Sequence, residues 1–185
     1  MIEEILLSLQ DKLRSHDFLD NEHALDKLAS LLQSQNSEKQ KKVISTTLPI
    51  ALASKFESIQ KKAVQIVINY PTILKDVLPA LRLSSDMTVR FWAFFILIEL
   101  GFIRQEELLD ILNSRENDEI RKISLEALSK NPDKKVILAF LEKISDPSWI
   151  VRKQAKRALI EQGDSIYQII QEYFQSCSSQ QKYEC

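Results

Sequence analysis

Glycine is almost missing from this chain: 185 residues contain only Gly101 and Gly163. A β-sandwich or a dinucleotide-binding α/β fold needs more glycine turns than that. No glycine-rich phosphate loop is present either. Proline occurs five times, and the shortage of both residues favours helices joined by short loops. Cysteine is confined to Cys177 and Cys185. Neither can staple the body of the fold, and their spacing matches no zinc motif. They read as free thiols in a solvated tail of a cytosolic protein.

Histidine is equally sparse. His16 and His23 have Asp17, Asp20 and Glu22 nearby, so a divalent-metal site can be drawn. The pair spans an expected loop and follows no ligand motif, so these residues read as solvated polar groups. Two histidines also leave little room for a histidine-based triad. No pair of carboxylates stands out as an acid/base couple. No catalytic residue, metal or cofactor is expected.

Long apolar runs are lacking too. The longest, Phe91 to Ile98, is bracketed by Arg90 and Glu99 and falls far short of the roughly 20 residues that span a bilayer. The opening Met1-Ile2-Glu3-Glu4 has acids where a secretory leader carries positive charge. The expectation is a soluble, cytoplasmic protein with no membrane partner. Nor is there an excess of charge of one sign: 25 Lys and Arg face 26 Asp and Glu, for a net charge of −1. A dedicated nucleic-acid binder is usually basic.

What the chain does have is a fourfold echo about 31 residues apart. Ile59-Gln60-Lys61-Lys62-Ala63 returns as Val89-Arg90-Phe91-Trp92-Ala93, as Ile120-Arg121-Lys122-Ile123-Ser124 and as Val151-Arg152-Lys153-Gln154-Ala155. A fixed period of this size marks a repeat array. Each echo has helical spacing, with small residues in the middle of its apolar stripe that let a neighbouring helix approach. Val89 to Leu100 is apolar nearly all round and reads as a helix buried on several sides.

Punctuation keeps the same register. Gly101 and Gly163 each follow an apolar helix, where glycine can adopt the left-handed C′ conformation. Asn69 and Asn131 stand at the corresponding ends of the other copies, followed by Pro71 and Pro132, which are expected to open the next helix. Asp86, Asn117 and Asp146 occupy N-cap positions. Second helices are expected at about 71–82, 104–113, 133–145 and 164–175. The repeats then run about 55–85, 86–115, 116–145 and 146–175. Residues 2–14 and 21–33 read as helices joined by a polar connection from Ser15 to Asp20. Residues 37–53 are ambiguous, because Pro49 should break or kink a helix there. Residues 1–54 are expected to form a degenerate N-terminal helical cap, and 176–185 a flexible polar tail.

The segment from Asp146-Pro147 through Val151-Arg152, Ala155 and Ala158-Leu159 resembles the first helix of a HEAT repeat. The third copy carries Asp118, Ile120, Arg121, Ala127 and Leu128; the second carries Asp86, Val89, Arg90 and Ala93; the first has Gln60 in place of the arginine. The resemblance covers roughly 55–175 and is similar to the compact prokaryotic HEAT-like repeats, including those named after phycobilisome lyases. The signatures of tetratricopeptide and ankyrin repeats are missing. The resemblance implies an all-α fold, a right-handed α-solenoid (superhelix) of antiparallel helix pairs.

It also implies that Arg90, Arg121 and Arg152 form an inter-repeat ladder. An arginine here can reach an aspartate or a carbonyl of the adjacent repeat, with Asp86, Asp118 and Asp146 as natural partners. A concave side lined by the second helices is implied as well. Candidate partner-binding residues there are Lys75, Arg82, Glu106, Asp110, Lys135, Glu142, Gln168 and Glu172. Trp149, at a helix start beside Pro147, is a further interface candidate, whereas Trp92 reads as core. The expected function is a non-enzymatic scaffold, adaptor or assembly factor binding another protein, as a monomer or in a hetero-complex. Two alternatives follow from the resemblance. One is a bilin lyase-like or cofactor-attachment chaperone. The other is nucleic-acid binding through Lys130, Lys134, Lys135, Lys143, Arg152, Lys153, Lys156 and Arg157, a cluster interleaved with Asp133, Glu142, Asp146 and Glu161.

Overall fold

A computed structural model describes residues 2–34 and 36–176, so Cys177, Cys185 and the tail expected at 176–185 lie, apart from the last helical residue, outside the described part. The described residues form eleven α-helices and two 3-10 turns, with no strand. The chain divides into two compact units, Met1–Phe102 and Ile103–Cys185. The division falls inside the second expected repeat, between its two helices.

The first unit contains α1 (Ile2–Arg14), α2 (Phe18–Ser34), α3 (Ser37–Leu52), α4 (Glu57–Val67), α5 (Pro71–Leu81) and α6 (Met87–Glu99). Alternate helices pack on one another: α1 on α3 and α3 on α5, then α2 on α4 and α4 on α6. Sequence neighbours also meet, as in α1 with α2 and α5 with α6. Helical periodicity explains which faces turn inward. In α4, Ile59, Ala63, Val64 and Val67 are buried at i, i+4, i+5 and i+8, one apolar stripe. Ala24, Ala51, Ala63 and Ala93 are fully buried, and a methyl side chain allows close helix approach. Leu25, Leu28, Leu32, Ile44, Leu48, Leu74 and Ile96 fill the space between. Each such side chain contributes about 1.5–3 kcal/mol before entropy is charged.

The second unit contains α7 (Gln105–Asn113), α8 (Asp118–Leu128), α9 (Lys134–Glu142), α10 (Trp149–Glu161) and α11 (Tyr167–Ser176). The 3-10 turns Lys143–Ser145 and Gly163–Ile166 precede α10 and α11. Here α8 packs on α7 and α10, while α9 packs on α10 and α11. Phe140, Leu112, Ile120, Val136, Val151, Ala155 and Ala158 are buried at its centre.

Several boundaries differ from expectation for local reasons. The connection from Ser15 to Asp20 is shorter, because Asp17 Oδ1 accepts from Leu19 N at 2.7 Å and starts α2 at Phe18. Pro49 does not break the helix over 37–52. It lies in the last turn, where its missing N–H leaves only one carbonyl without its usual donor. Asp86 and Asn117 cap α6 and α8 as the sequence suggests. Asp146 does not cap α10, whose N-cap is Ser148. Gly101 has φ of 65° and Gly163 of 58°. Gly101 N donates to Ile98 O, and Phe102 N to Leu97 O at 2.9 Å, the paired bonds of a Schellman ending. Asn69 and Asn131 do not share that conformation, since no non-glycine residue among those described has positive φ. Their helices end instead in right-handed caps at Ile68 and Ser129. Pro71 opens α5, but Pro132 lies ahead of the Asp133 cap and outside α9.

Candidate functional site

The echoed position takes three forms across the four copies. In the third, Arg121 is buried, and its guanidinium spans two carboxylates. Nη1 donates to Asp146 Oδ2 at 2.7 Å, and Nη2 to Asp118 Oδ1 at 2.6 Å. Asp146 is buried as well, accepts from Ser148 N on its other oxygen at 2.9 Å, and has Lys143 Nζ at 3.9 Å. The structure thus brings Arg121, Asp118 and Asp146 together, joining the start of α8 to the turn before α10. Burial opposes the Arg121 charge, yet hydrogen bonds to Asp146 and Asp118 hold its pKa above the ordinary value. The Ser148 hydroxyl and then Arg121 hold Asp118 below its own. Arg121 and Asp146 are buried while the Asp118 side chain is 48% exposed, and desolvation of the buried pair offsets much of its attraction.

Arg90 and Arg152 hold the loops that enter their own helices. Arg90 Nη1 donates to Ser84 O at 2.8 Å; Arg152 Nη1 donates to Asp146 O at 2.6 Å and Pro147 O at 2.9 Å. Asp86 is occupied as a cap on Thr88 N and Val89 N. In the first copy Gln60 replaces the arginine with a neutral tie. Trp92 Nε1 donates to Gln60 Oε1 at 2.8 Å, and Gln60 Nε2 donates to Ser54 O. Ser54 Oγ in turn donates to Asn21, whose amide reaches Lys12 O, Ser15 O and Asp17 O. This buried polar chain links α1, α2, α4 and α6. Sequence reading assigned Trp92 to the core but missed the chain; the substitution of Gln60 for arginine was its one visible sign.

The candidate residues on the second helices fall in both units. Lys75 is exposed on α5 with Nζ 5.0 Å from the Phe102 ring centre, and half-buried Arg82 lies 5.1 Å from that of Phe94. In the other unit Glu106 and Asp110 are exposed on α7, Lys135 and Glu142 on α9, and Gln168 and Glu172 on α11. Lys134 Nζ bridges α9 to α11 through Glu172 at 2.7 Å. Asp133 caps α9, and the Val136 N–H followed by the Gln105 amide lowers its pKa.

Trp149 sits elsewhere, on the outward face of α10, and is 61% exposed. The same face carries Arg152, Lys153, Lys156, Arg157 and Ile160, with Glu161 at its end, around a shallow depression. Ile160 is 78% exposed. Lys153 Nζ lies 5.6 Å from the Trp149 ring centre, an attractive cation–π distance. Arg157 Nε donates to Glu161 at 2.7 Å, which raises the Arg157 pKa. Ile160 was not singled out in the sequence, although it lies off the buried stripe of Val151, Ala155, Ala158 and Leu159. An exposed aromatic, an exposed aliphatic and four cations can bind an anionic, partly apolar surface.

His16 and His23 are exposed. Among the described residues, no group of three or more His, Cys, Asp and Glu side chains could hold a metal ion. No helix there is long and apolar enough to cross a membrane. No protein-family model matches the chain, and no curated protein matches its sequence. The fold and these surfaces define an all-α protein built from short helices.

Proposed function

We propose that this chain is a non-enzymatic protein-interaction scaffold, an adaptor or assembly factor built as a right-handed solenoid of HEAT-like helix pairs. The observation that carries this reading is the packing of alternate helices within each unit, α1–α3–α5 beside α2–α4–α6, and α8–α10 beside α9–α11. A single helical hairpin cannot bury its own apolar face, so stacking neighbours supply the core and leave one face of each helix outward. On the second helices those outward positions are long and of both signs, suited to a polar protein surface. The proposed setting is the cytoplasm, and the partner is another protein.

Affinity capture from the native organism tests this reading. The chain is expected to retain a specific protein that a Lys75→Glu, Arg82→Glu, Lys135→Glu variant with an unchanged melt fails to retain. Retention by the variant moves the site off the second helices; no specific capture by either form sinks the scaffold reading.

Nucleic-acid binding is the second reading, favoured by the four cations on α10. It requires affinity that falls steeply with salt, and no DNA binding at low salt dismisses it. The bilin-attachment reading rests on the resemblance alone. Coexpression with a bilin and its apoprotein, followed by absorbance, tests it.

A further inference from the structure

We propose that the outward face of α10 docks an acidic amphipathic helix of a partner protein. This inference rests on the scaffold reading and adds the location and the chemistry of one contact. Trp149, Lys153, Lys156 and Ile160 stand at i, i+4, i+7 and i+11, a straight stripe about 16 Å long. An apolar anchor closes each end, and both are exposed, at 61% and 78%. A partner helix laid along the stripe meets it with the same spacing. Arg152 and Arg157 flank the two lysines, so four cations face the one carboxylate of Glu161 on this helix. The chain as a whole has a net charge of −1, so the positive charge is local and selects an acidic occupant.

The face is also held in place. The opposite side of α10 buries Val151, Ala155, Ala158 and Leu159. Arg152 grips the preceding loop through Asp146 O and Pro147 O. Lys153 sits over the Trp149 ring. A rigid aromatic flanked by cations is the kind of anchor that dominates interface energies. An acidic helix fits better than a nucleic-acid strand. Ile160 offers a strand neither a stacking plane nor a phosphate contact.

The test uses the full chain and a fluorescein-labelled helical peptide of about 16 residues, with Leu at i and i+11 to meet the two apolar anchors and Glu at i+4 and i+7 to meet the lysines. Its control replaces every Glu with Lys. Binding of the acidic peptide with a Kd of about 10 µM or tighter is expected. Trp149→Ala, and separately the pair Lys153→Glu and Lys156→Glu, should each weaken it at least about tenfold while the melt stays unchanged. The proposal is overturned by absent peptide binding, by equal binding of the Lys control, or by variants that bind as well as the parent. It is also overturned if this face instead takes up single-stranded DNA or a second copy of the chain, read by anisotropy and sedimentation. If the peptide result fails while specific capture still depends on Lys75, Arg82 and Lys135, this face is wrong and the scaffold reading stands.

Discussion

Arg121 and Asp146 are 25 residues apart in sequence, yet Arg121 Nη1 donates to Asp146 Oδ2 at 2.7 Å with both residues buried. Nothing within one helical turn demands this pairing. It exists because α8 and α10 pack side by side, which carries the turn before α10 over the first turn of α8. Asp118, three residues before Arg121 in the first turn of α8, completes the clasp.

Removing the buried carboxylate leaves a buried guanidinium half-compensated. Asp146→Ala should therefore lower unfolding free energy by about 2–4 kcal/mol. Asp146→Asn should also destabilise, since its single oxygen can accept from Ser148 N or from Arg121 but not both, and its NH2 group then faces the other donor. Urea denaturation followed by circular dichroism checks both; equal stability of Asp146→Ala and the parent would show that the pair does not tie the helices.

Acid should destabilise the fold through Asp118 and Asp133, whose pKa values are both held below the ordinary 3.8. The unfolded chain takes up these protons first as pH falls. The stabilisation is thus fully present above 3.8 and lost as pH drops through the lowered values. Asp133→Asn should retain the cap on Val136 N while flattening part of the acid slope. Urea midpoints across that range are the measurement, and an unchanged slope would remove Asp133 from the account.

The Gln60–Trp92 tie should behave as one unit. Trp92→Phe leaves Gln60 Oε1 in the core without its indole donor and should cost about 1–3 kcal/mol. Combining it with Gln60→Ala should cost less than the sum of the two single changes. Strict additivity in the double-mutant cycle would mean that the bond contributes nothing.

Gly101→Ala isolates backbone strain, because an added Cβ meets nothing within 4 Å while φ is 65°. A left-handed alanine costs about 1–2 kcal/mol, so the melting temperature should fall by about 2–8 °C. Gly101→Asn should fall less, as asparagine tolerates this region better. A melt unchanged in Gly101→Ala would mean that this turn relaxes to another conformation.

Apart from α3, whose Pro49 argued against a helix, the helices and much of their punctuation were readable in the amino-acid order. The signals for these act within a turn or two: an apolar stripe at helical spacing, an aspartate ahead of an N-terminus, a glycine able to hold positive φ. That is why Asp86, Asn117 and Gly101 were legible in advance. It is also why Asn69 and Asn131 misled: their side chains permit a left-handed ending without requiring one. Packing alone decided which echoed position became a buried clasp, which became a loop tie, and which joined Trp92. Those outcomes depend on how deeply each guanidinium or amide is desolvated and on which distant carbonyl or carboxylate arrives beside it. The face of α10 was half legible. Its lysines, arginines and Trp149 could be named from spacing, but the exposure of Ile160 emerged only once α8 and α9 had claimed the opposite side of that helix.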